Sequence, residues 1–182
     1  MNHTNQYIAF LRGINVGGHK KVPMADLRKQ VEALGFTQVV TILNSGNVIF
    51  STAESKEDTL EKMIAEDLKQ SFGFPVPVLV RSAAVITHLL EANPFQNIEV
   101  TKNIRQYVSF LKEEPSNDLT LPWTTEDDSY RIFDIRDRTV CSLLDLSVTQ
   151  TTKGMGALEQ LFGKNITTRN WNTLLRIANK LG

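Results

Sequence analysis

The sequence contains little that would cross-link or anchor the chain: one cysteine, three histidines and no long apolar run. Because a single cysteine cannot form an internal disulfide, and Cys141 lies in the apolar run VCSLL, we expect a buried thiol and a reducing, cytoplasmic location. No apolar stretch approaches the roughly 20 residues that a membrane-spanning helix needs. The histidines His3, His19 and His88 show no paired metal-ligand spacing. We therefore expect a cytoplasmic protein without membrane contact, bound metal or cofactor.

The chain also has no excess of charge of either sign, since 20 basic and 20 acidic residues leave a formal net charge of zero. Such a chain lacks the positive field that draws proteins to nucleic acids or anionic membranes, so neither partner is expected. Carboxylates concentrate between residues 112 and 129, but their spacing matches no calcium-binding loop and predicts a solvated acidic loop. At 182 residues, the chain is predicted to form two packed subdomains, 1–81 and 82–182.

The first half alternates strand and helix patterns. The runs YIAFL and VPVLV have the length of buried strands, and QVVTIL and NVIFS predict a hairpin across the turn NSG. One predicted helix starts at Pro23 and ends at Gly35. A second follows Ser55, which with Asp58 resembles a capping box. The resulting order, β-α-β-β-α-β, predicts a ferredoxin-like antiparallel sheet with both helices on one face, and hence an α+β fold.

The second half predicts a further α+β subdomain packed on the first. A helix is predicted over residues 82–92, followed by the strands RQYVSFL, YRIFDI and TVCSLL, with a tight turn at Asp137 and Arg138 joining the last two. The acidic loop is predicted to contain a helical turn near Leu121. LEQLFG and the C-terminal segment are predicted helices, with Trp171 as a core anchor. A structural duplication of the first half stays open.

A glycine-rich stretch, RGINVGGHKK, separates the first strand from the first helix. It fails the Walker pattern, because His19 and Lys20 stand where lysine and a hydroxyl residue belong. It also fails the dinucleotide pattern, because Asn15 replaces the second glycine. Glycine loops nevertheless expose backbone N–H groups to anions, and Arg12, Lys20 and Lys21 supply charge near a helix N-terminus. Anion binding and a purely structural turn both remain open.

The predicted topology brings this loop to the end of the sheet that also carries the NSGN hairpin. Strands one and three are neighbours in that topology, which places Arg12 and Asn15 near the hairpin residues Asn44, Ser45 and Asn47. The surroundings of Ser45 do not match the G-x-S-x-G pattern of a nucleophile elbow, so we expect a turn serine. The sequence marks no general base or nucleophile, and catalysis stays open.

The segment TTRNWNT, residues 167–173, is predicted to begin the terminal helix. An arginine in a first helical turn opposes the helix dipole, so Arg169 would be better placed beside an anion or a carboxylate. The hydroxyls of Thr167 and Thr168 suit either a helix cap or a contact with such an anion. A protein carboxylate or solvent around Arg169 is the open alternative.

Four separated segments, FLRGINVGG, VPMADL, SGNVIF and TTRNWNT, resemble in their order the bacterial family catalogued as domain of unknown function 1697. The resemblance spans nearly the whole chain. It implies an α+β protein built on ferredoxin-like elements, and it implies no activity. The segments single out Arg12, Gly13, Asn15, Gly17, Gly18, Ser45, Gly46, Asn47, Thr168, Arg169, Asn170 and Trp171.

The leading hypothesis is binding of a small anionic ligand, such as a phosphorylated one, at the end of the sheet with the glycine loop and the hairpin. The candidate ligand-binding residues are Arg12, Gly13, Asn15, Gly17, Gly18, Lys20, Asn44, Ser45, Gly46, Asn47, Thr168, Arg169 and Asn170. A second hypothesis is a nucleic-acid-binding module, because RNA-recognition motifs share the element order, although SGNVIFS offers only Phe50 of their aromatic pattern. A third is a protein-interaction or dimerisation domain without catalytic activity, and the oligomeric state stays open.

Overall fold

The structure, a computed structural model, describes residues 4–54, 56–116 and 118–182. Two antiparallel sheets and five helices within these ranges form a mixed α+β protein, as the sequence predicts. The predicted capping residue Ser55, and also His3, lie outside the described residues. The elements, in chain order, are β1 (Asn5–Leu11), α1 (Met24–Ala33), β2 (Thr37–Ile42), β3 (Asn47–Thr52), α2 (Glu57–Phe72), β4 (Val78–Ser82), α3 (Ala83–Ala92), β5 (Ile104–Leu111), β6 (Trp123–Thr124), β7 (Tyr130–Arg136), β8 (Thr139–Asp145), α4 (Thr151–Phe162), β9 (Ile166–Asn170) and α5 (Trp171–Ala178).

The chain divides into two compact units. Unit 1 contains the residues through Leu89 together with Arg176–Gly182, and unit 2 contains Leu90–Leu175. The borders therefore fall inside α3 and α5. The division into domains 1–81 and 82–182 stays a prediction.

Unit 1 contains a four-stranded antiparallel sheet in the order β2-β3-β1-β4. The predicted neighbour relation between β1 and β3 is confirmed, with Tyr7 opposite Phe50 and Ala9 opposite Val48. The side chains of α1 and α2 share one buried cluster with these strand residues, so both helices cover the same face. The ferredoxin-like assignment also requires right-handed crossovers, and it stays a prediction.

Both faces of this sheet are buried. Successive strand residues point to opposite faces, so Ile8, Phe10 and Ile49 point away from the helix-covered face. All three have 0% of their surface exposed. The aromatic residue Phe50 lies on the helix side, where its ring stacks on Phe36 with 4.7 Å between the ring centroids. Because an RNA-recognition motif stacks bases on exposed sheet aromatics, this sheet offers no such platform among the described residues.

The outer edge of β4 is covered by side chains of α2. The N–H groups of Val80 and Ser82 donate to carboxylate oxygens of Glu61 at 2.9 Å and Glu57 at 3.1 Å. The Val80 carbonyl accepts a hydrogen bond from Arg81 Nη1 at 2.7 Å. Edge strands with unpaired backbone groups invite association with other strands, and these contacts remove that option for this part of β4.

Unit 2 contains a five-stranded antiparallel sheet in the order β6-β7-β8-β5-β9. The apolar face of α4 packs on one side of it, and Gly154 permits this close approach. A Cβ at Gly154 would lie 2.8 Å from Leu144 Cδ1 and 3.2 Å from Tyr130 Cδ2. The predicted burial of Cys141 is confirmed, with 1% of its surface exposed, and this burial raises the pKa of its thiol to about 12.

Three local predictions in unit 2 are wrong. The segment from Thr167 to Asn170 belongs to strand β9, not to the first turn of the terminal helix, because its β-branched residues pair along β5. Helix α4 starts at Thr151, seven residues before LEQLFG, because the two glycines of TTKGMG hide its helical pattern. The acidic loop contributes the short strand β6 after Leu121 instead of a helical turn.

The turn at Asp137 and Arg138 is confirmed. Both residues have positive φ, 46° and 58°, between the paired strands β7 and β8. Trp171 is also buried as predicted, with 7% of its surface exposed. Among the described residues, no helix combines the length and apolar character that crossing a bilayer requires.

Candidate functional site

The glycine-rich loop between β1 and α1 forms a small hairpin. Its tip is a four-residue turn that is closed by a hydrogen bond from the His19 N–H to the Val16 carbonyl at 3.1 Å. The two central residues, Gly17 and Gly18, have φ values of 60° and 78°. Two positive φ values in succession are those of a type I′ turn, which glycine adopts without steric strain. The paired glycines therefore have a structural role in the loop.

The side chain of Asn15 fastens this loop to the β2–β3 hairpin. Its Nδ2 donates to the carbonyls of Val22 and Asn44, both at 2.9 Å, and its Oδ1 accepts from the Val22 N–H at 2.8 Å. The backbone N–H of Asn15 also donates to the Lys20 carbonyl at 3.1 Å. The predicted proximity of Asn15 to Asn44 is confirmed. Because the amide group is engaged in internal bonds on both of its atoms, Asn15 holds the loop in place.

Gly46 supports the loop from the hairpin side. Its carbonyl accepts from the Leu11 N–H at 2.8 Å, and its φ is 79°. A Cβ at this position would lie 2.7 Å from Ile14 Cδ1 and 2.8 Å from Leu11 Cβ. Only glycine allows both this backbone conformation and this close approach.

Asn47 and Ser45 complete the turn of the hairpin. The fully buried Asn47 donates from Nδ2 to the Ile42 carbonyl at 2.8 Å and to Ser45 Oγ at 3.1 Å. Gly46 and Asn47 are both buried, whereas Asn44 and Ser45 are exposed. Of the four NSGN residues, only Asn44 and Ser45 therefore present surface to a ligand.

A depression of about 370 Å³ lies where the loop, the hairpin and the start of α1 meet. It is lined by Asn15, Gly18, Lys21, Val22, Pro23, Met24 and Asn44. Pro23 occupies the N-cap position of α1, and no side-chain hydrogen bond caps this helix end. Unpaired N–H groups at a helix start carry partial positive charge and favour anions. The lining of the depression therefore contains both a cationic side chain, Lys21, and the start of a helix.

The surroundings of this depression are basic. The sequence has no aspartate or glutamate in residues 1–25 or 33–53, which include the whole loop and the whole hairpin. The loop itself contains Arg12, His19, Lys20 and Lys21. The nearest acidic residue in sequence, Asp26, lies in the first turn of α1. The loop and the hairpin therefore contribute only basic charge to this end of unit 1, and Asp26 contributes one acidic group at the start of α1.

Other predicted loop residues lie outside the lining of the depression. Arg12 is half-buried, and its backbone N–H donates to the Pro77 carbonyl at 3.0 Å. Gly13 is exposed with φ of 72°, and a Cβ there would contact no atom within 4 Å. Lys20 is exposed and has φ of 48°. Sequence reasoning did not mark Met24 and its neighbours as lining residues, because their apolar spacing predicts only a helix core.

The predicted residues of TTRN lie in unit 2, on strand β9. Thr168 Oγ1 is 2.7 Å from Ser109 Oγ, and Arg169 Nη1 donates to Thr167 Oγ1 at 2.9 Å and to the Thr168 carbonyl at 3.0 Å. Only 8% of the Arg169 surface is exposed, and burial lowers the pKa of its guanidinium to about 10. These threonines bind strand side chains instead of capping a helix.

Asn170 caps the terminal helix, a role that the sequence left as one of two alternatives for Thr167 and Thr168. Its Oδ1 accepts from the Asn172 N–H at 3.0 Å at the start of α5, as side-chain oxygens at helix starts do. Asn170 also lines a separate depression of about 240 Å³ in unit 2, together with Arg105 and Thr101.

Neither unit offers a metal centre within the described ranges. No group of three or more histidine, cysteine, aspartate or glutamate side chains there lies close enough to hold an ion. The carboxylate of Asp127 accepts hydrogen bonds from Thr125 and Ser129 and pairs with Lys153 at 2.5 Å. Asp127 therefore links the turn that contains Thr125 and Ser129 to Lys153 of α4.

Comparison with known proteins gives the family. The model of the family described as "Protein of unknown function (DUF1697)" matches residues 4–140. The chain belongs to this family. The match includes the glycine loop and the hairpin of unit 1 and ends before TTRN, so it covers less of the chain than the resemblance in the sequence suggested.

A solved structure is similar to the DUF1697 chain over nearly all of its length. It is titled "The structure of conserved bacterial protein SP0830 from Streptococcus pneumoniae". The two are 24% identical, with a TM-score of 0.75, and the match covers 99% of this chain and 100% of the other. At this identity the similarity shows the fold alone. No curated protein matches the chain.

Proposed function

We propose that this DUF1697 protein binds a small anionic ligand, such as a phosphorylated one, at the depression between the glycine loop, the β2–β3 hairpin and the start of α1. The observation that carries the proposal is the position of Lys21 and Gly18 in the same lining as the uncapped start of α1. Cationic side chains and N–H groups at a helix start are recurrent partners of phosphate.

The exposed backbone N–H groups at the loop tip support the proposal. No described residue accepts a hydrogen bond from the N–H of Gly17 or Gly18. Both glycines are exposed, and a Cβ on Gly18 would contact no atom within 4 Å. An anion can therefore approach these N–H groups without a steric obstacle.

The predicted residues divide into two roles within this proposal. Gly18 and Lys21, which line the depression, contact the ligand, with the exposed Gly17 and Lys20 beside them in the loop. Asn15 and the buried hairpin residues position the loop. Arg12, Gly13 and the unit 2 residues Thr168, Arg169 and Asn170 stay predicted ligand residues, and the proposal does not depend on them. It assigns no reaction, because the lining contains no carboxylate, histidine or thiol to act as a base or nucleophile.

The competing hypotheses receive less support from unit 1. A nucleic-acid-binding module of the RNA-recognition type needs an exposed sheet face, and Ile8, Phe10 and Ile49 are fully buried on the face that would serve. Strand addition at β4 is disfavoured, because carboxylates of α2 accept from the N–H groups of Val80 and Ser82 on its outer edge. The interaction hypothesis stays open at β2, the other edge strand of this sheet.

The proposal is tested by thermal unfolding in phosphate and in chloride at matched ionic strength. A ligand at 100 times its dissociation constant adds about 2.7 kcal/mol to the free energy of unfolding, which raises the melting temperature by roughly 5 to 10 °C in a protein of this size. We expect this rise in the wild type and in the control Lys62→Gln, where an exposed lysine of α2 is changed. We expect its loss in Lys20→Gln/Lys21→Gln. An equal rise in all three proteins would contradict binding at the loop.

A further inference from the structure

We infer that the ligand of the unit 1 depression is an organic phosphomonoester with an apolar carbon group, and not free inorganic phosphate. This inference rests on the proposed function. It follows from two features of the depression that the charge of the loop does not explain: its volume and its apolar wall.

The volume exceeds what a phosphate needs. The depression measures about 370 Å³, within the roughly 300 to 1,000 Å³ of sites that hold small organic ligands. A water molecule takes roughly 30 Å³, so a phosphate of a few times that size would leave most of the depression to solvent. A ligand that fills it must therefore carry further atoms.

The lining has two chemically different sides. Gly18 and Lys21 form a polar side on the loop, and Pro23 and Met24 form an apolar side at the start of α1. Pro23 is exposed and Met24 is half-buried, so both have apolar surface that a ligand can still cover. Burying such surface is favourable for a carbon chain and unfavourable for a second phosphate. The two sides together match one anionic group joined to one apolar group.

The side chain of Asn15 restricts how the ligand lies. The Asn15 amide is engaged with Val22 and Asn44 on both of its atoms, so it cannot turn towards a ligand without releasing the loop. The anionic group is therefore held by Lys21 and the loop backbone and not by the Asn15 amide, and the carbon group extends along Pro23 and Met24. Affinity should then depend separately on Lys21 and on Met24.

Calorimetric titration of the full chain with three probes tests the inference. The probes are inorganic phosphate, n-butyl phosphate and n-butanol. We expect n-butyl phosphate to bind at least tenfold more tightly than inorganic phosphate, and n-butanol to show no saturable binding. In Lys21→Gln both phosphates should lose at least tenfold in affinity, whereas Lys62→Gln should retain wild-type values.

The variant Met24→Gln isolates the apolar side, because glutamine keeps the length and helix preference of methionine without its apolar end. We expect Met24→Gln to bind inorganic phosphate with the affinity of the wild type, and to bind n-butyl phosphate less than threefold more tightly than inorganic phosphate. If Met24→Gln fails to fold by circular dichroism, Pro23→Ala replaces it, with the same direction of change.

The outcomes separate the inference from the proposed function. Equal affinity for the two phosphates, lost in Lys21→Gln, would overturn the inference and leave anion binding in place. An advantage for n-butyl phosphate that persists in Met24→Gln and Pro23→Ala would also overturn it, because the carbon group would then lie elsewhere. No binding of either phosphate, or binding of n-butanol as tight as that of n-butyl phosphate, would overturn both.

Discussion

The glycine loop of unit 1 and the TTRN segment of unit 2 are similar in composition and opposite in environment. Each contains one arginine, at least one asparagine and small residues. The loop pairs only with itself at its tip and leaves Gly17 and Gly18 exposed. Strand β9 pairs along β5 from Ile166 to Asn170, and Arg169 is buried. A polar segment is therefore a candidate for ligand contact only where strand pairing does not already engage its backbone.

The largest expected effect concerns two glycines with nearly the same φ, Gly46 at 79° and Gly18 at 78°. In Gly46→Ala the new Cβ would meet Leu11 Cβ and Ile14 Cδ1, in addition to the strain of a positive φ. We expect the free energy of unfolding to fall by about 3 kcal/mol, since overpacking costs about 1–3 kcal/mol and the left-handed conformation about 1–2 kcal/mol. Urea unfolding gives the measurement.

Gly18→Ala is the matched control, because a Cβ there meets no atom within 4 Å. Only the strain of the positive φ applies here, and we expect the free energy of unfolding to fall by about 1 kcal/mol. Equal losses in the two variants would mean that the hairpin does not press against the loop as the structure describes.

Arg169 tests the buried side of the comparison. Arg169→Ala removes the hydrogen bonds to Thr167 and Thr168 and leaves a cavity, so we expect the free energy of unfolding to fall by about 2–4 kcal/mol. In Arg169→Met the free energy of unfolding should fall by less than about 1.5 kcal/mol, because methionine fills the volume of the arginine. The substitution also removes a charge whose burial is unfavourable, as the lowered pKa of about 10 indicates. If urea unfolding shows the same loss of stability for Arg169→Met as for Arg169→Ala, the hydrogen bonds of Arg169 and not its packing stabilise this part of unit 2.

Asn15 tests the link between the loop and the hairpin. Asn15→Ala removes three hydrogen bonds, and because the site is only half-buried we expect a loss of about 2 kcal/mol. Asn44 takes part through its backbone carbonyl alone, so Asn44→Ala should change the free energy of unfolding by less than about 0.5 kcal/mol. The reverse order in chemical denaturation would contradict the role given to Asn15.

The smallest expected effect concerns an exposed ion pair of unit 2. Lys153, and then hydrogen bonds from Ser129 and Thr125, hold the pKa of Asp127 well below its usual range. A carboxyl group with a lowered folded-state pKa stabilises the protein above its unfolded pKa, near 4, and loses this contribution as pH falls through the folded value. The stability gap between wild type and Asp127→Asn should therefore be widest at pH 7 and narrow steadily below pH 4. A gap that does not change with pH would contradict this.

Local patterns predicted most of unit 1, because each of its elements has a self-contained signal. The apolar run of β1, the helix start at Pro23 and the NSG turn needed no partner to be recognised. The contact between Asn15 and Asn44 followed from the order of the strands. The lining by Pro23 and Met24 did not follow, because it depends on how the loop folds back over α1.

The errors lie in unit 2, where long-range pairing overrides local preference. Thr167 and Thr168 resemble helix caps in sequence, but β5 and Ser109 offer them a strand partner some 59 positions earlier in the chain. The start of α4 was missed because Gly154 weakens its helical pattern. That glycine is required by the close approach to Tyr130, which no local pattern reveals.

The most direct test of anion binding at the glycine loop is an NMR titration of backbone amides with phosphate, at constant ionic strength. We expect saturable shifts that are largest for the N–H groups of Gly17, Gly18 and Lys21 and that are absent in Lys20→Gln/Lys21→Gln. Saturable shifts centred on Arg169 and Asn170, or no saturable shift at any amide, would contradict it.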